Sequence, residues 1–300
     1  MSLKLLLDAE IVAGMMTSWP VQPTVHSLPT NSALLSVVNA KTILDYLNTG
    51  CVPPSDINII KSATPRHPAS FVTDGRLDPV KVGRWRDAGC TVHLRHIERW
   101  CPPAAVILHG IQRETGCTTY ASAFVTPPGE QGLEHHWDQY LGLVVQLAGT
   151  KRWELWRPVV DAPTRDYQNS VRRWNPDWPA QWQESGPDLQ VDLLPGQVLV
   201  LPRGWVHNPH SRESTKTSVH LTVVIQERVP LWIAEHMTGS AINDPSFRAV
   251  VPPADLEYEA LVARVQATRA ALIEHMNGLD VEEFAHALQR HAATEREHAA

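Results

Sequence analysis

Two histidines and an aspartate are spaced so that they can bind one metal ion. His136 and Asp138 lie two residues apart, and side chains at that spacing on a strand point to the same face. His207 ends the segment Leu201–His207, which we expect to bring a third ligand from a later strand. Two imidazoles and one carboxylate on one face of an octahedron leave three positions open. This arrangement is typical of Fe(II) oxygenases, in which a cosubstrate and O2 both reach the metal.

The neighbouring histidines offer competing interpretations. With fifteen histidines in the chain, roughly one His-x-Asp tripeptide is expected by chance, so the context of His136 matters more than the tripeptide. His135 should face the opposite side of the strand. His210 could join His136 in a zinc site, but structural zinc sites are normally closed by Cys or His, and no cysteine lies near. Catalytic zinc stays open as an alternative to iron, because His and Asp ligands do not by themselves select the metal.

The composition is that of a globular protein with a sizeable core. The 300 residues are 43% hydrophobic and 19% charged, which allows one large domain or one large and one small domain. No run approaches the roughly 18 apolar residues of a membrane span, and the first ten residues do not resemble a signal peptide. The net charge of -6 disfavours a nucleic-acid partner. The cysteines lack metal or disulfide spacing, which predicts reduced thiols in the cytoplasm: Cys51, Cys90, Cys101 and Cys117.

Strand signals concentrate between about residue 118 and residue 228. Residues 217–225 alternate as a strand. Two pairs of apolar runs flank short turns that contain glycine, and each pair predicts a tight antiparallel hairpin. These pairs are residues 141–147 with 152–156, around Ala148-Gly149-Thr150, and residues 191–194 with 197–201, around Pro195-Gly196.

Helix signals lie on both sides of this β region. Residues 1–100 mix amphipathic stretches with Pro-rich joins, which predicts short helices wrapped around the β core. From Pro253 to Met276 apolar residues fall near helical spacing, and Asp280 can cap a further helix through Glu283. This helical pair has too little core of its own to stand alone. We therefore expect it to pack on the β domain or on a second copy of the chain, and we favour a homodimer.

Five ordered segments carry a resemblance to a known family. They are Gly89–Arg99, Phe124–Gly132, His136–Asp138, Val145–Trp153, and Leu201–His207 followed by Ser218–Thr222. With them the sequence resembles the JmjC-type, cupin-fold 2-oxoglutarate oxygenases, and within these the bacterial and eukaryotic ribosomal-oxygenase group. The resemblance implies a mainly β protein with flanking helices, whose core is a double-stranded β-helix of the jelly-roll type. It also implies an oxygenase domain over residues 1–228 and a helical dimerisation region over residues 229–300.

The resemblance implies roles for individual residues. His136, Asp138 and His207 match the Fe(II) ligands of the family. Lys151 stands where many of these enzymes place the lysine that pairs with the distal carboxylate of 2-oxoglutarate. The physical logic agrees, because a buried dianion requires a cation at its far end. A lysine beside a turn is otherwise ordinarily solvated.

Further cosubstrate-binding candidates include departures from the family pattern. The ribosomal-oxygenase group usually has Asn and Tyr where this chain has Ser122 and Phe124. Phe124 has no hydroxyl to donate, so cosubstrate binding is expected to be weaker or rearranged, while Ser122 can offer a hydroxyl. Ser218 and His220 lie on a late strand whose counterparts line the pocket. The group's winged-helix module has no counterpart here, which weakens the expectation of a ribosomal protein as substrate.

The substrate is the least determined feature. A protein or peptide side chain is the first expectation, a free amino acid or natural-product precursor the second, and modified RNA the third. A different class is a metal-binding cupin that is non-catalytic or independent of 2-oxoglutarate. The Trp-rich segment Trp174–Trp182 either contributes to substrate binding, since aromatic surfaces hold peptides and rings, or anchors its own loop.

Overall fold

A computed structural model describes residues 2–164 and 171–295. These residues form two compact units, one that extends to Gln226 and a second that comprises Glu227–Glu295.

Strands of the first unit form two antiparallel sheets and a small ribbon. The larger sheet has the order β1-β11-β8-β13-β7-β6-β2-β3, the smaller sheet has the order β10-β9-β12, and β4 pairs with β5. The strand bounds are β1 Thr24–Ser27, β2 Ile57–Lys61, β3 Thr64–Pro65, β4 Val72–Thr73, β5 Arg76–Leu77, β6 Thr91–Leu94, β7 Thr118–Thr126, β8 Leu141–Ala148, β9 Lys151–Trp156, β10 Leu189–Leu193, β11 Gln197–Leu201, β12 Val206–His210 and β13 Ser218–Gln226.

Alternation along the central strands separates a helix-facing core from a polar interior. Strand β13 pairs with β7 on one edge and β8 on the other, and all nine of its residues are buried. On β13, Val219, Leu221 and Val223 belong to the main hydrophobic core, whereas His220 and Thr222 line an internal cavity. Because side chains alternate along a strand, one face of this sheet packs on helices while the other faces the cavity.

Both predicted hairpins are wrong, although each predicted strand forms. Strand β8 lies between β11 and β13, so both of its edges are occupied, and β9 pairs instead with β10 and β12 in the other sheet. Likewise β11 pairs with β1 and β8, while β10 pairs with β9. The turns at Gly149 and Gly196 therefore carry the chain from one sheet to the other. Such crossings produce the double-stranded β-helix that the resemblance implies, and that fold class is confirmed.

Short helices precede and flank the sheets, as expected. Asn39 caps α3 by accepting a hydrogen bond from the backbone of Thr42, and Gly50 ends it in the left-handed conformation. Apolar residues of α1, α3 and α5 pack in the same core as the helix-facing side of the larger sheet. The helices of this unit are α1 Ala9–Thr17, α2 Leu34–Val37, α3 Ala40–Thr49, α4 Pro79–Asp87, α5 Pro102–Thr115 and α6 Trp178–Ser185.

The second unit is helical. It contains α7 Pro230–Ser240, α8 Tyr258–Asn277 and α9 Val281–Thr294. The predicted cap is confirmed, because the Asp280 carboxylate accepts a hydrogen bond from the backbone of Glu283. Within Glu227–Glu295, only Ala241 and Ala292 are buried.

Two further expectations concern membrane-spanning helices and the cysteines. Among the described residues, no helix is long and apolar enough to cross a membrane. All four cysteines are free thiols.

Candidate active site

The structure brings His136, Asp138 and His207 together. One potential ligand atom from each lies within 4.8 Å of the others, and the distance from Nε2 of His207 to Oδ2 of Asp138 is 3.8 Å. The first two residues do not belong to a regular strand. Instead, an isolated bridge joins His136 to His207 through two backbone hydrogen bonds of 3.1 and 2.7 Å. A further bond from the backbone N–H of Gly204 to the carbonyl of Asp138 keeps the segment alongside β12.

Backbone carbonyls orient both imidazoles. Nδ1 of His136 lies 2.6 Å from the carbonyl oxygen of Glu134, and Nδ1 of His207 lies 2.9 Å from that of Trp205. A carbonyl oxygen only accepts, so each Nδ1 carries the proton and each Nε2 keeps a lone pair for a metal. Burial, followed by the proximity of His136, lowers the pKa of His207 to about 4, so its neutral, ligating form prevails at neutral pH.

The three groups open onto a cavity of about 250 Å³ between the two sheets. The strand register divides the cavity into three successive levels along the direction of β9. Lys151, the first residue of β9, lies at the first level. The second holds Trp153, whose ring lies 5.6 Å from that of His220 on the facing sheet. The third holds His207, which pairs with Leu155, four residues along β9 from Lys151. Lys151 and the candidate metal-ligand group His136, Asp138 and His207, called the metal cluster below, therefore occupy opposite ends of one cavity. They lie about 13 Å apart along the strand.

Lys151 is buried rather than solvated. It is 2% exposed, and its amine donates a hydrogen bond of 2.9 Å to the hydroxyl of Thr126. That hydroxyl also accepts from Thr91 at 3.1 Å. Burial lowers the pKa of Lys151 from 10.5 to about 7, because it disfavours the charged form, and among the described residues that line the cavity the one carboxylate, Asp138, lies at the other end. An anion that enters this end of the cavity would supply the missing partner.

Three stacked rings form the middle of the larger sheet's cavity wall. Phe124 lies between His93 and His220 in register, with ring centroids 4.1 and 4.8 Å away. Burial lowers the pKa of His93 to about 3 and that of His220 well below 6.5. Both imidazoles are therefore neutral at pH 7. Nε2 of His93 and Nδ1 of His220 are buried without a hydrogen-bond partner, and such atoms are costly.

Of the other residues that the sequence suggested for cosubstrate binding, two line the cavity and one does not. Ser122 and His220 line the cavity. Ser218 is not among its lining residues. It is fully buried on the first level of β13, where its hydroxyl accepts a hydrogen bond from Gln146 at 2.9 Å. The hydroxyl keeps its own proton to donate, so a contact between Ser218 and a cosubstrate stays a prediction.

The competing histidines are held elsewhere. The ring of His135 stacks on Trp182 at 5.4 Å, and the imidazole of His210 lies 3.7 Å from Glu154 and 3.4 Å from Glu213. Neither residue lines the central cavity. Among the described residues, no second cluster of potential metal ligands forms, so the zinc site built with His210 is not assembled.

The Trp-rich segment serves partly as an anchor. Trp182 is buried in an aromatic cluster with Trp137 and Trp156. Trp174 is 39% exposed and lines a second cavity that shares His136 with the central one. The buried end of the segment therefore holds the loop, while its exposed end lies near the metal cluster.

Sequence reasoning missed two residues of this wall. His93 and Arg95 line the cavity together with Thr91. The alternation of these three residues on and just after β6 was the available signal, since they share one face. It was not recognised because β6 comprises only Thr91–Leu94 and lies in a region predicted to be helical.

The chain is similar in sequence to known oxygenases. Residues 99–229 match the JmjC domain family. Human ribosomal oxygenase 1 is 30% identical over 154 residues, which cover 51% of this chain and 23% of that protein. The bifunctional lysine-specific demethylase and histidyl-hydroxylase NO66 of Drosophila pseudoobscura pseudoobscura is 27% identical over 150 residues, or 50% of this chain and 15% of that protein. The chain thus spans less than a quarter of the length of these two curated relatives.

Solved structures share the fold. Escherichia coli YcfD, a ribosomal oxygenase solved in complex with cobalt and 2-oxoglutarate, superposes with a TM-score of 0.57 at 13% identity, over 98% of this chain and 73% of that one. A further YcfD structure gives 0.57 at 12% identity over 96% of this chain and 72% of that one. At this identity the likeness establishes the architecture alone. The sequence match to the JmjC domain family covers residues 99–229, and these structures show the same architecture.

Proposed function

We propose that the protein is an Fe(II)- and 2-oxoglutarate-dependent oxygenase that hydroxylates an unactivated C–H bond, with a protein or peptide side chain as its substrate. The observation that carries this proposal is the cavity itself. A cluster of two imidazoles and one carboxylate lies at one end, and the buried amine of Lys151 lies at the other. The relatives named as oxygenases and the cobalt and 2-oxoglutarate complex of YcfD support the same assignment.

The donor set fits iron. His136 and His207 would each present Nε2, since their Nδ1 atoms bond to backbone carbonyls, and Asp138 would supply a carboxylate oxygen. Carbonyl partners of this kind orient ligating histidines in metal sites generally. Two nitrogens and one oxygen on one side leave positions for a chelating cosubstrate and O2. Zinc would accept the same ligands, so the metal has to be identified by experiment.

The rest of the cavity fits 2-oxoglutarate. Lys151 would bind the distal carboxylate, and Thr126 holds its amine in place. Neutral His220 would lie beside the cosubstrate and Ser122 would add a hydroxyl. When bound, iron and 2-oxoglutarate reduce O2 and deliver one oxygen atom to a C–H bond, with succinate and CO2 as the other products. The chain's own contribution is to orient these groups and to exclude water between the two sheets.

Metal binding tests the first half of the proposal. His207→Ala and Asp138→Ala should each abolish stoichiometric Mn(II) binding, measured by electron paramagnetic resonance on metal-stripped protein. His135→Ala is the matched control, because His135 adjoins the cluster but does not line the cavity, and it should bind Mn(II) like the wild type. Retention of tight binding by both cluster variants would reject the assigned ligands.

Turnover tests the second half. The protein should convert 2-oxoglutarate to succinate with Fe(II), and this conversion should rise with host-cell extract present. Mass spectrometry then looks for extract components that gain one oxygen atom. Oxygenated peptides would favour the first substrate class, whereas oxygenated metabolites would favour a free amino acid or natural-product precursor. A protein that neither binds nor decarboxylates 2-oxoglutarate belongs instead to the metal-binding cupins.

We also propose that the helical unit joins two copies of the chain. Only two residues of Glu227–Glu295 are buried, while large apolar side chains remain exposed: Leu231, Ile233, Val262, Val265 and Ile273. A second copy would cover such a surface. Light scattering after size-exclusion chromatography should give twice the chain mass, and a stable monomer would reject the homodimer. A cytoplasmic location, suggested by the free thiols, stays a prediction.

A further inference from the structure

The charges that line the central cavity do not balance. Lys151 and Arg95 are the lysine and arginine side chains among the described residues that line it, and Asp138 is the single acidic residue among them. Asp138 belongs to the candidate metal-ligand group, so a bound metal would take up its charge. Each cation therefore lacks an acidic partner within the cavity.

Arg95 lies at the metal end. Thr91 is level with Lys151, since both bond to the hydroxyl of Thr126. Arg95 follows four residues later on the same side of the strand, about 13 Å further along. On the facing sheet, His207 pairs with Leu155, which lies four residues along β9 from Lys151. Between these two ends, the ring of Trp153 on one sheet contacts the ring of His220 on the other. Arg95 and His207 therefore lie at the same end of the cavity.

The guanidinium of Arg95 has no protein partner in the described part of the chain. Its backbone N–H donates to Asp56 and its carbonyl accepts from Trp100, but these bonds leave the side chain free. The neighbouring carboxylates are already engaged. Glu98 bonds to the ring of His96 and to the backbone N–H of Ala121. Asp56 pairs with Arg99 at 3.6 Å.

Two hydroxyl groups lie next to Arg95 in the strand register. Leu94 pairs with Ala123, and Ser122 pairs with Thr222; Ser122 and Thr222 line the cavity together with Arg95, and a hydroxyl can donate a hydrogen bond. The guanidinium of a half-buried arginine beside these hydroxyls can bind a planar anion, because its two parallel N–H groups match a carboxylate.

We infer that Arg95 binds a carboxylate of the substrate and thereby presents a neighbouring C–H bond to the metal cluster. This inference rests on the proposed function. With iron, Asp138, Lys151 and the 2-oxoglutarate dianion in place, the charges of that assembly cancel, and Arg95 contributes one uncompensated positive charge. A monoanionic group of the substrate neutralises it. The substrate is therefore a carboxylic acid, either a small molecule or an Asp or Glu side chain of a peptide.

Paired probes test this inference. The protein is loaded with Zn(II), which is catalytically silent, and with 2-oxoglutarate, whose binding is measured first by calorimetry. A panel of N-acetyl-L-amino acids is then compared with the corresponding N-acetyl-L-amino acid amides by saturation-transfer NMR. N-acetyl-aspartate amide and N-acetyl-glutamate amide form a third set. Binding of the first set identifies a small acid as substrate, and binding of the third set identifies an acidic side chain.

Free acids should bind at least about tenfold more tightly than their amides, as charge-assisted hydrogen bonds require. Arg95→Gln should remove that preference and leave 2-oxoglutarate binding unchanged, while Arg95→Lys should retain part of it. Arg84→Gln is the matched control, because Arg84 is exposed and does not line the cavity. It should behave like the wild type.

Several outcomes would overturn the inference: equal binding of acids and amides, binding of no carboxylate probe, or an unchanged preference in Arg95→Gln. Loss of 2-oxoglutarate binding in a folded Arg95→Gln would also overturn it, because Arg95 would then serve the cosubstrate. Failure of the wild type to bind 2-oxoglutarate contradicts the proposed function instead. The acid and amide pairs are then compared on the Zn(II) protein alone, which keeps the two results separate.

Discussion

Replacement of Lys151 by methionine should have opposite effects on cosubstrate binding and on stability. Methionine keeps the length of the side chain but removes its charge and its hydrogen bond to Thr126. A hydrogen bond to a charged group contributes about 1.5–3 kcal/mol. We therefore expect Lys151→Met to weaken 2-oxoglutarate binding by about 10- to 150-fold. Calorimetry on Zn(II)-loaded protein measures this change.

The stability effect follows from the lowered pKa of Lys151. Burial reduces it from 10.5 to about 7, so the folded state binds this proton less tightly than the unfolded state. Below pH 7 the lysine is charged in both states, and its burial costs up to about 5 kcal/mol. As the pH rises from 7 towards 10.5, the folded protein has released the proton and the cost disappears.

Lys151→Met should therefore raise the Tm of the metal-free protein at pH 6, by about 2–4 °C per kcal/mol. The gain over the wild type should shrink by pH 9. Lys216→Met, which removes an exposed lysine, is the control and should shift Tm little at either pH. The reasoning is refuted if Lys151→Met lowers Tm at pH 6, or if it leaves 2-oxoglutarate affinity within twofold of the wild type.

Two further predictions concern the framework of the site. Trp182→Ala should destabilise the protein by about 3–5 kcal/mol in urea denaturation, because Trp182 is buried among aromatic rings. Trp174→Ala should destabilise it far less, because Trp174 is 39% exposed. Equal losses of stability would contradict the anchoring role of the buried end of the segment. Gly149→Ala should cost about 1–3 kcal/mol more than Gly186→Ala. Both glycines have a positive φ, but a Cβ at Gly149 would lie 2.4 Å from the carbonyl oxygen of Thr217, while one at Gly186 would meet nothing within 4 Å. Similar midpoints for these two variants would show that the turn after β8 tolerates a side chain.

The candidate metal-ligand group could be recognised from sequence because its signal is local. His136 and Asp138 are two residues apart, and a backbone bridge aligns them with His207. The segment does not form the regular strand that we expected, yet the spacing still placed both side chains towards the same metal position. The resemblance to a known family supplied Lys151, whose burial no local pattern could reveal. Its neighbours Thr91 and Thr126 come from strands far apart in the chain.

The hairpins failed because local patterns do not specify partners. Each glycine turn was correctly located, and each flanking strand forms. A short connection between two strands favours a hairpin only when a free edge is available for pairing. In this fold β11 and β13 already occupy both edges of β8, so the chain crosses to the other sheet. Edge occupancy depends on strands that lie far away in the sequence, as β1 and β8 do for β11.

By itself, the sequence indicated the three candidate metal ligands and the helical character of the last segment, because these depend on residue type and spacing. The fold class came through the resemblance to a known family. Only the tertiary structure decided that Ser218 is engaged by Gln146, that His93 stacks on Phe124, and that Arg95 faces the metal end without an acidic partner. These features depend on the register between strands distant in the chain. Register is set by the packing of whole sheets, because a shift of one residue would move every side chain to the opposite face.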